Sequence, residues 1–256
     1  MVLIIFIILI LLGGCSSTVS TYTGGLTQNK IGLQPKQEVP DYFIPRELNI
    51  ASIGDSLTQG VGDETKQGGY TTILKENLMQ QKEIKEVTLN NYGVKGHKTT
   101  DLLNRLDDEE VQKGIAEADI IIITIGGNDI MKIVRDNLFD LSFEVFQSEQ
   151  TKYEKRLYKV LEKIRDYNSD GEIVLVGLYN PFGWLVDISI EINAIIDNWN
   201  EGSSNVLSEF TNTKYVTVAD IFSNSEENLL ASDEFHPNAK GYELISERIL
   251  KTILTD

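Results

Sequence analysis

Two residues stand in settings that invite nucleophilic catalysis. Ser56 lies in the stretch Leu48 to Gly60, LNIASIGDSLTQG. Leu48, Ile50, Ala51 and Ile53 read as the buried positions of a short strand that ends in Gly54-Asp55-Ser56. A serine on the turn where a strand gives way to a helix can project its Oγ past the sheet edge. Its own N–H then sits at a helix N-terminus, where a developing anion is favoured. Such a serine can be a nucleophile, but it needs a base to activate it. The chain has two histidines, His97 and His236. His236 stands near the C-terminus in Asp233-Glu234-Phe235-His236-Pro237 and is the candidate base.

The elements that must position these residues follow from hydrophobic patterning. Strands are expected over Leu48–Gly54, Val87–Tyr92, Ile120–Ile125, Ile173–Leu178 and Tyr215–Val218. The four consecutive isoleucines from Ile120 suit a central strand covered on both faces. Helices are expected over Tyr70–Glu83, Thr99–Arg105, Gln150–Tyr167, Val186–Glu209 and Asn238–Thr252. Alternation of this kind predicts an α/β fold, a parallel sheet with helices on both sides. In such sheets the ligand site lies beyond the carboxyl ends of the strands. Two further polar or glycine-rich runs fall at such ends: Asn91-Tyr92-Gly93-Val94-Lys95-Gly96 and Gly126-Gly127-Asn128-Asp129.

These four runs, in this order, resemble the SGNH (or GDSL) hydrolase superfamily. The resemblance covers the chain from about residue 50 to 250. It implies a three-layer α/β/α sandwich with a flavodoxin-like sheet of about five strands. It implies that Ser56 is the nucleophile, His236 the general base and Asp233 the residue that orients the imidazole. It assigns the oxyanion hole to the N–H groups of Ser56 and Gly96 and the side-chain amide of Asn128, with Gly93 left as a turn residue. A glycine at 96 also makes physical sense, since a side chain there could obstruct approach to its N–H. The resemblance implies ester hydrolysis through an acyl-enzyme, with no metal and no cofactor. Asp55 and Asp129 are expected to hold turns, and His97 to be at most a pocket residue. The run DSLTQGVGDETKQGGY is similar to the lipoprotein branch of the family in Gram-positive bacteria.

The composition narrows the alternatives. With 256 residues, 41% of them hydrophobic, the chain can bury a sizeable core in one domain. Its formal charge of −16 argues against binding to nucleic acid or to anionic lipid headgroups. One cysteine and two histidines leave no Cys/His cluster for zinc or iron. A site made only of carboxylates stays open on these grounds.

Residues 2–12, VLIIFIILILL, suit the apolar core of a signal peptide, and they lead into Leu12-Gly13-Gly14-Cys15. Small residues before a cysteine there resemble a bacterial lipobox, although no Lys or Arg precedes Lys30. The expected organisation is a signal peptide over 1–14, a lipidated Cys15 with a flexible tether over 15–45, and a hydrolase domain over 46–256. The expected location is the outer face of a bacterial cytoplasmic membrane. The substrate would be a small-molecule or lipid ester. Apolar residues within 131–148 read as a segment packed on the core or as a lid or acyl-binding wall beside the site, and Trp184 and Leu185 as another wall. The rival readings are an O-acetyl esterase acting on cell-wall glycans, a surface binding module without turnover, and a partner protein that docks through its acidic face.

Overall fold

The computed structural model describes residues 44–137, 142–183 and 189–255. The expectations for the leader, Cys15, the tether up to residue 43, and Trp184 and Leu185 lie outside the described residues. Five strands, β1 (Arg46–Gly54), β2 (Ile84–Gly93), β3 (Ile120–Thr124), β4 (Glu172–Val176) and β5 (Thr213–Val216), form one sheet in the order β2-β1-β3-β4-β5. Every pairing is parallel. This is the expected flavodoxin-like arrangement. The strand order reverses at β1, so a crevice opens beyond the carboxyl ends of β1 and β3.

The isoleucine run explains the layering. Side chains alternate across a strand. Ile121 and Ile123 enter one core with Leu102, Ile115, Leu157, Leu161 and Trp199. Ile120 and Ile122 enter the other with Tyr70, Leu74, Leu78, Tyr242 and Ile249. The first core is roofed by α3 (Thr99–Arg105), α4 (Glu109–Ala116), α6 (Phe143–Tyr167) and α7 (Ser189–Leu207). The second is roofed by α2 (Tyr70–Met79) and α9 (Ala239–Leu254). Each buried isoleucine contributes about 1.5–3 kcal/mol of transfer free energy. Three further helices, α1 (Ser56–Gln59), α5 (Gly127–Asp136) and α8 (Ala219–Ser223), complete the described elements.

Several boundaries differ from the sequence expectation. The helix expected from Gln150 begins at Phe143, because Phe146 extends the buried stripe of Tyr153, Leu157, Val160, Leu161 and Ile164 by two further turns. Helix α2 stops at Met79, short of the expected Glu83, since Ile84 already starts β2. Helix α4 was not expected at all. Its signal is Asp108, whose carboxylate accepts from the N–H groups of Glu110 and Val111, followed by two acidic residues in the first turn. Among the described residues no helix is long and apolar enough to cross a membrane.

Candidate active site

The end of β1 is locked between its neighbours. Gly54 pairs with Gly93 of β2 and with Thr124 of β3. Its φ is +134°, and a Cβ there would lie 1.9 Å from the Thr124 carbonyl oxygen. No other residue fits this position. Asp55 then caps α1, its Oδ1 accepting from the Leu57 N–H at 3.1 Å and from Thr124 Oγ1 at 2.8 Å. Thr58 Oγ1 bonds Thr124 Oγ1 and the Tyr70 hydroxyl at 2.8 and 2.9 Å. This buried network fixes the four-residue turn of helix that carries Ser56.

Ser56 is 3% exposed and His236 7%. Their side chains meet, with Ser56 Oγ 2.9 Å from His236 Nε2. On the other side of the ring, His236 Nδ1 lies 2.6 Å from Asp233 Oδ2. A carboxylate only accepts, so Nδ1 carries the proton and donates it. Nε2 is thereby left as the acceptor for the Ser56 hydroxyl. Partial burial opposes ionisation of Asp233. The hydrogen bonds from the His236 ring and from the N–H groups of His236 and Phe235 outweigh it and hold the carboxyl below the usual range. The three residues named from the sequence therefore form one hydrogen-bonded chain. His97 is not part of it. Its Nδ1 is buried without a partner among the described residues, and burial lowers its pKa.

The loop that carries His236 is held from several directions. The Ala231 N–H donates to the His236 carbonyl at 2.8 Å, and Leu230 bridges Pro237. Tyr179 donates its hydroxyl to the Phe235 carbonyl at 2.7 Å. Gly62 lies against the same loop with φ +96°, where a Cβ would be 2.5 Å from the Pro237 oxygen and 2.8 Å from His236 Cβ. Neither Tyr179 nor Gly62 is among the residues expected from the sequence. Gly62 had a visible signal, the Gly-Val-Gly spacing just after the serine, whereas Tyr179 had none.

Ser56, Gly96 and Asn128 stand at the ends of β1, β2 and β3. Ser56 is the first residue of α1, so its N–H has no partner inside the helix. Among the described residues neither it nor the Gly96 N–H donates to a protein acceptor. Gly96 adopts φ +85° in open space, with nothing within 4 Å of a built Cβ. Left-handed backbone, rather than steric obstruction, is what requires glycine here. Gly93 serves close approach rather than a turn, since a Cβ there would lie 2.3 Å from the Gln59 nitrogen. Asn128 donates one amide hydrogen to the His97 carbonyl at 3.1 Å, and a second remains on the same nitrogen.

Beside Ser56 and Asn128 opens a cavity of about 530 Å³. Its wall includes Ile125, Ile130, Met131, Val134, Phe143, Phe146, Leu178, Ile192, Ile195 and Phe235. Of the segment 131–148, Met131, Val134, Phe143 and Phe146 line this cavity, while residues 138–141 lie outside the described residues.

Burial pushes the Asp55 carboxyl up to about 7, above its ordinary 3.8, although the hydrogen bonds from Thr124 and Leu57 work against this. A raised folded-state pKa means stability that is complete below the unfolded value and is lost as pH rises through the folded one. Asp55→Asn keeps an oxygen for both donors and removes that loss. The variant should gain melting temperature over wild type progressively between about pH 4 and pH 8. Melting curves that shift in parallel across this range would contradict the assignment.

The GDSL-like lipase/acylhydrolase family model matches residues 52–244. The chain is 38% identical over 229 residues to the uncharacterized protein YpmR of Bacillus subtilis, covering 89% of each. It is 29% identical to the spore germination lipase LipC of Bacillus licheniformis, over 79% of this chain and 94% of that one. Among solved structures, the lipase Lip_vut3 from a goat rumen metagenome superposes with a TM-score of 0.69 at 28% identity. That match covers 80% of this chain and 97% of the lipase.

Proposed function

The chain belongs to the GDSL-like lipase/acylhydrolase family and is a serine ester hydrolase, and on that premise we propose that it cleaves esters of medium and long acyl chains, lysophospholipids among them. Ser56 Oγ attacks the ester carbonyl as His236 Nε2 takes its proton. The tetrahedral oxyanion is held by the Ser56 and Gly96 N–H groups and the Asn128 amide. His236 then gives the proton to the departing alcohol, leaving an acyl-enzyme. Water attacks that ester, again losing its proton to His236, and the carboxylic acid leaves as Ser56 regains its hydrogen.

The observation that supports an acyl substrate is the apolar cavity next to Ser56. At about 530 Å³ it falls within the ~300–1,000 Å³ range of sites for drug-sized ligands. An acetyl group would touch little of it. Each methylene buried there is worth up to ~0.8 kcal/mol, roughly fourfold in kcat/KM. For p-nitrophenyl esters, kcat/KM should therefore climb from acetyl through at least octanoyl before levelling. Activity confined to acetyl esters would favour the O-acetyl esterase reading. No turnover at any length by the folded protein would favour the binding module.

The same reading places the enzyme at the outer face of a bacterial cytoplasmic membrane, held by lipid on Cys15. Its support is the apolar run 2–12 leading into Leu12-Gly13-Gly14-Cys15, together with the similarity to the lipoprotein branch. Labelled palmitate fed to expressing cells should enter the protein and be lost in Cys15→Ala. Equal labelling of both would contradict the anchor.

A further inference from the structure

Two of the proposed oxyanion donors, the Gly96 N–H and the Asn128 amide, come from separate segments, the loop after β2 and the first turn of α5. Such a hole works only if its donors hold their places to a fraction of an ångström. The structure shows what joins them. Asp129, next to Asn128, is 6% exposed. Its Oδ2 accepts from the Thr99 N–H at 2.9 Å, and its Oδ1 accepts from Thr99 Oγ1 at 2.7 Å. Thr99 is fully buried, three residues after Gly96, at the start of α3. From α6 a third side chain reaches both. Arg156 Nε donates to Thr99 Oγ1 at 2.7 Å, and Nη2 donates to Asp129 Oδ1 at 3.0 Å. The three side chains close a ring directly behind the two loops.

We propose that Arg156 is a positioning residue for the oxyanion hole, its guanidinium fastening Thr99 to Asp129 and so fixing the Gly96 N–H relative to the Asn128 amide. This rests on the assignment of those two donors. The guanidinium is suited to the task because its planar fork serves two acceptors at once, whereas an ammonium is a single point charge. It also supplies the charge partner of a buried carboxylate, which would otherwise be left with the Thr99 donors alone. Arg156 lies outside all four sequence runs that carry the family resemblance. The Asn128 amide bond to the His97 carbonyl forms a second tie between the same loops, so loss of Arg156 should loosen the hole rather than abolish it.

The test compares Arg156→Gln, Arg156→Lys and Asn128→Ala with wild type on p-nitrophenyl butyrate. Active sites are counted by titrating each protein to completion with a fluorophosphonate. The second readout is the inhibition constant of an alkyl trifluoromethyl ketone, whose adduct carries an oxyanion. For Arg156→Gln, kcat per site should fall about 10- to 100-fold with KM within about twofold, within reach of a 1 Å misplacement. The inhibition constant should rise in parallel, and Arg156→Lys should recover part of both. A purely structural role would lower the melting temperature and leave kcat per site intact, and that result overturns the proposal. If Arg156→Gln does not fold, Thr99→Val carries the same test. It keeps the Arg156–Asp129 pair and the Thr99 N–H bond, and an unchanged kcat per site would overturn the proposal equally. Asn128→Ala separates the premise from the inference. If it turns over like wild type, the oxyanion assignment falls and the inference with it. If it is impaired while Arg156→Gln is not, the inference alone falls.

Discussion

Replacing His236 by glutamine should lower kcat by about 10⁶, the scale seen when the base of a serine triad is removed. The geometry explains why so little would remain. His236 Nε2 is the group in hydrogen-bond contact with Ser56 Oγ, at 2.9 Å. Without it the hydroxyl keeps its proton, and the departing alcohol finds no acid. The other histidine cannot substitute, because His97 belongs to the loop after β2 and has no bond to the serine. The effect should be confined to chemistry. The loop around residue 236 is pinned by main-chain bonds from Ala231 and Asn238 and by the Tyr179 hydroxyl, all independent of the imidazole. Melting temperature and inhibitor-free folding should therefore change little while turnover collapses. A variant that keeps even a tenth of wild-type kcat would show that another base serves the serine.

Asp233→Asn should cost about 10³–10⁴ in kcat. The asparagine can still accept from the N–H groups of Phe235 and His236 through one oxygen, so the turn survives. Its amide, however, donates toward Nδ1 where the carboxylate accepted. That moves the ring proton to Nε2, which then faces Ser56 as a donor and cannot take the hydroxyl proton. The lower end of the range is expected because the Asp233 side chain is 45% exposed and its field is screened by water. Pre-steady-state burst measurements would check it, since both acylation and deacylation pass through the same imidazole. A variant with normal kcat would mean that the orientation of His236 is set elsewhere in the loop.

Much of the candidate site is legible in the sequence, for a physical reason. Three of the four runs that hold the candidate residues sit at the ends of parallel strands, and strands announce themselves through apolar runs such as Ile120–Ile123. A serine, a glycine and an asparagine placed after three such runs come to the same edge of the sheet when the strands lie side by side, as β2, β1 and β3 do. The supporting contacts were not legible in the same way. Arg156 and Thr99 are 57 residues apart, and Thr58 and Thr124 are 66 apart. Nothing in local patterning says that such pairs touch. Asp129 was expected to hold a turn. It does hold backbone, but of a different element, the start of α3. Glycines divided along the same line. Gly54 is visible as part of a motif, whereas for Gly62 the Gly-Val-Gly spacing shows a glycine but not its reason, the packing of a histidine loop far along the chain. The extent of α6 is obscured because Phe143 and Phe146 fall in an apolar segment that reads as core packing, wall or lid, whereas they line the cavity from within the helix.

The proposed chemistry depends first on Ser56 being the nucleophile. Intact-mass and peptide-mapping analysis after treatment with diisopropyl fluorophosphate would decide it. One adduct per chain is expected, on the peptide containing Ser56, with esterase activity lost in proportion to labelling. Complete inactivation with the adduct on another residue would contradict it, as would full esterase activity in protein labelled stoichiometrically at Ser56.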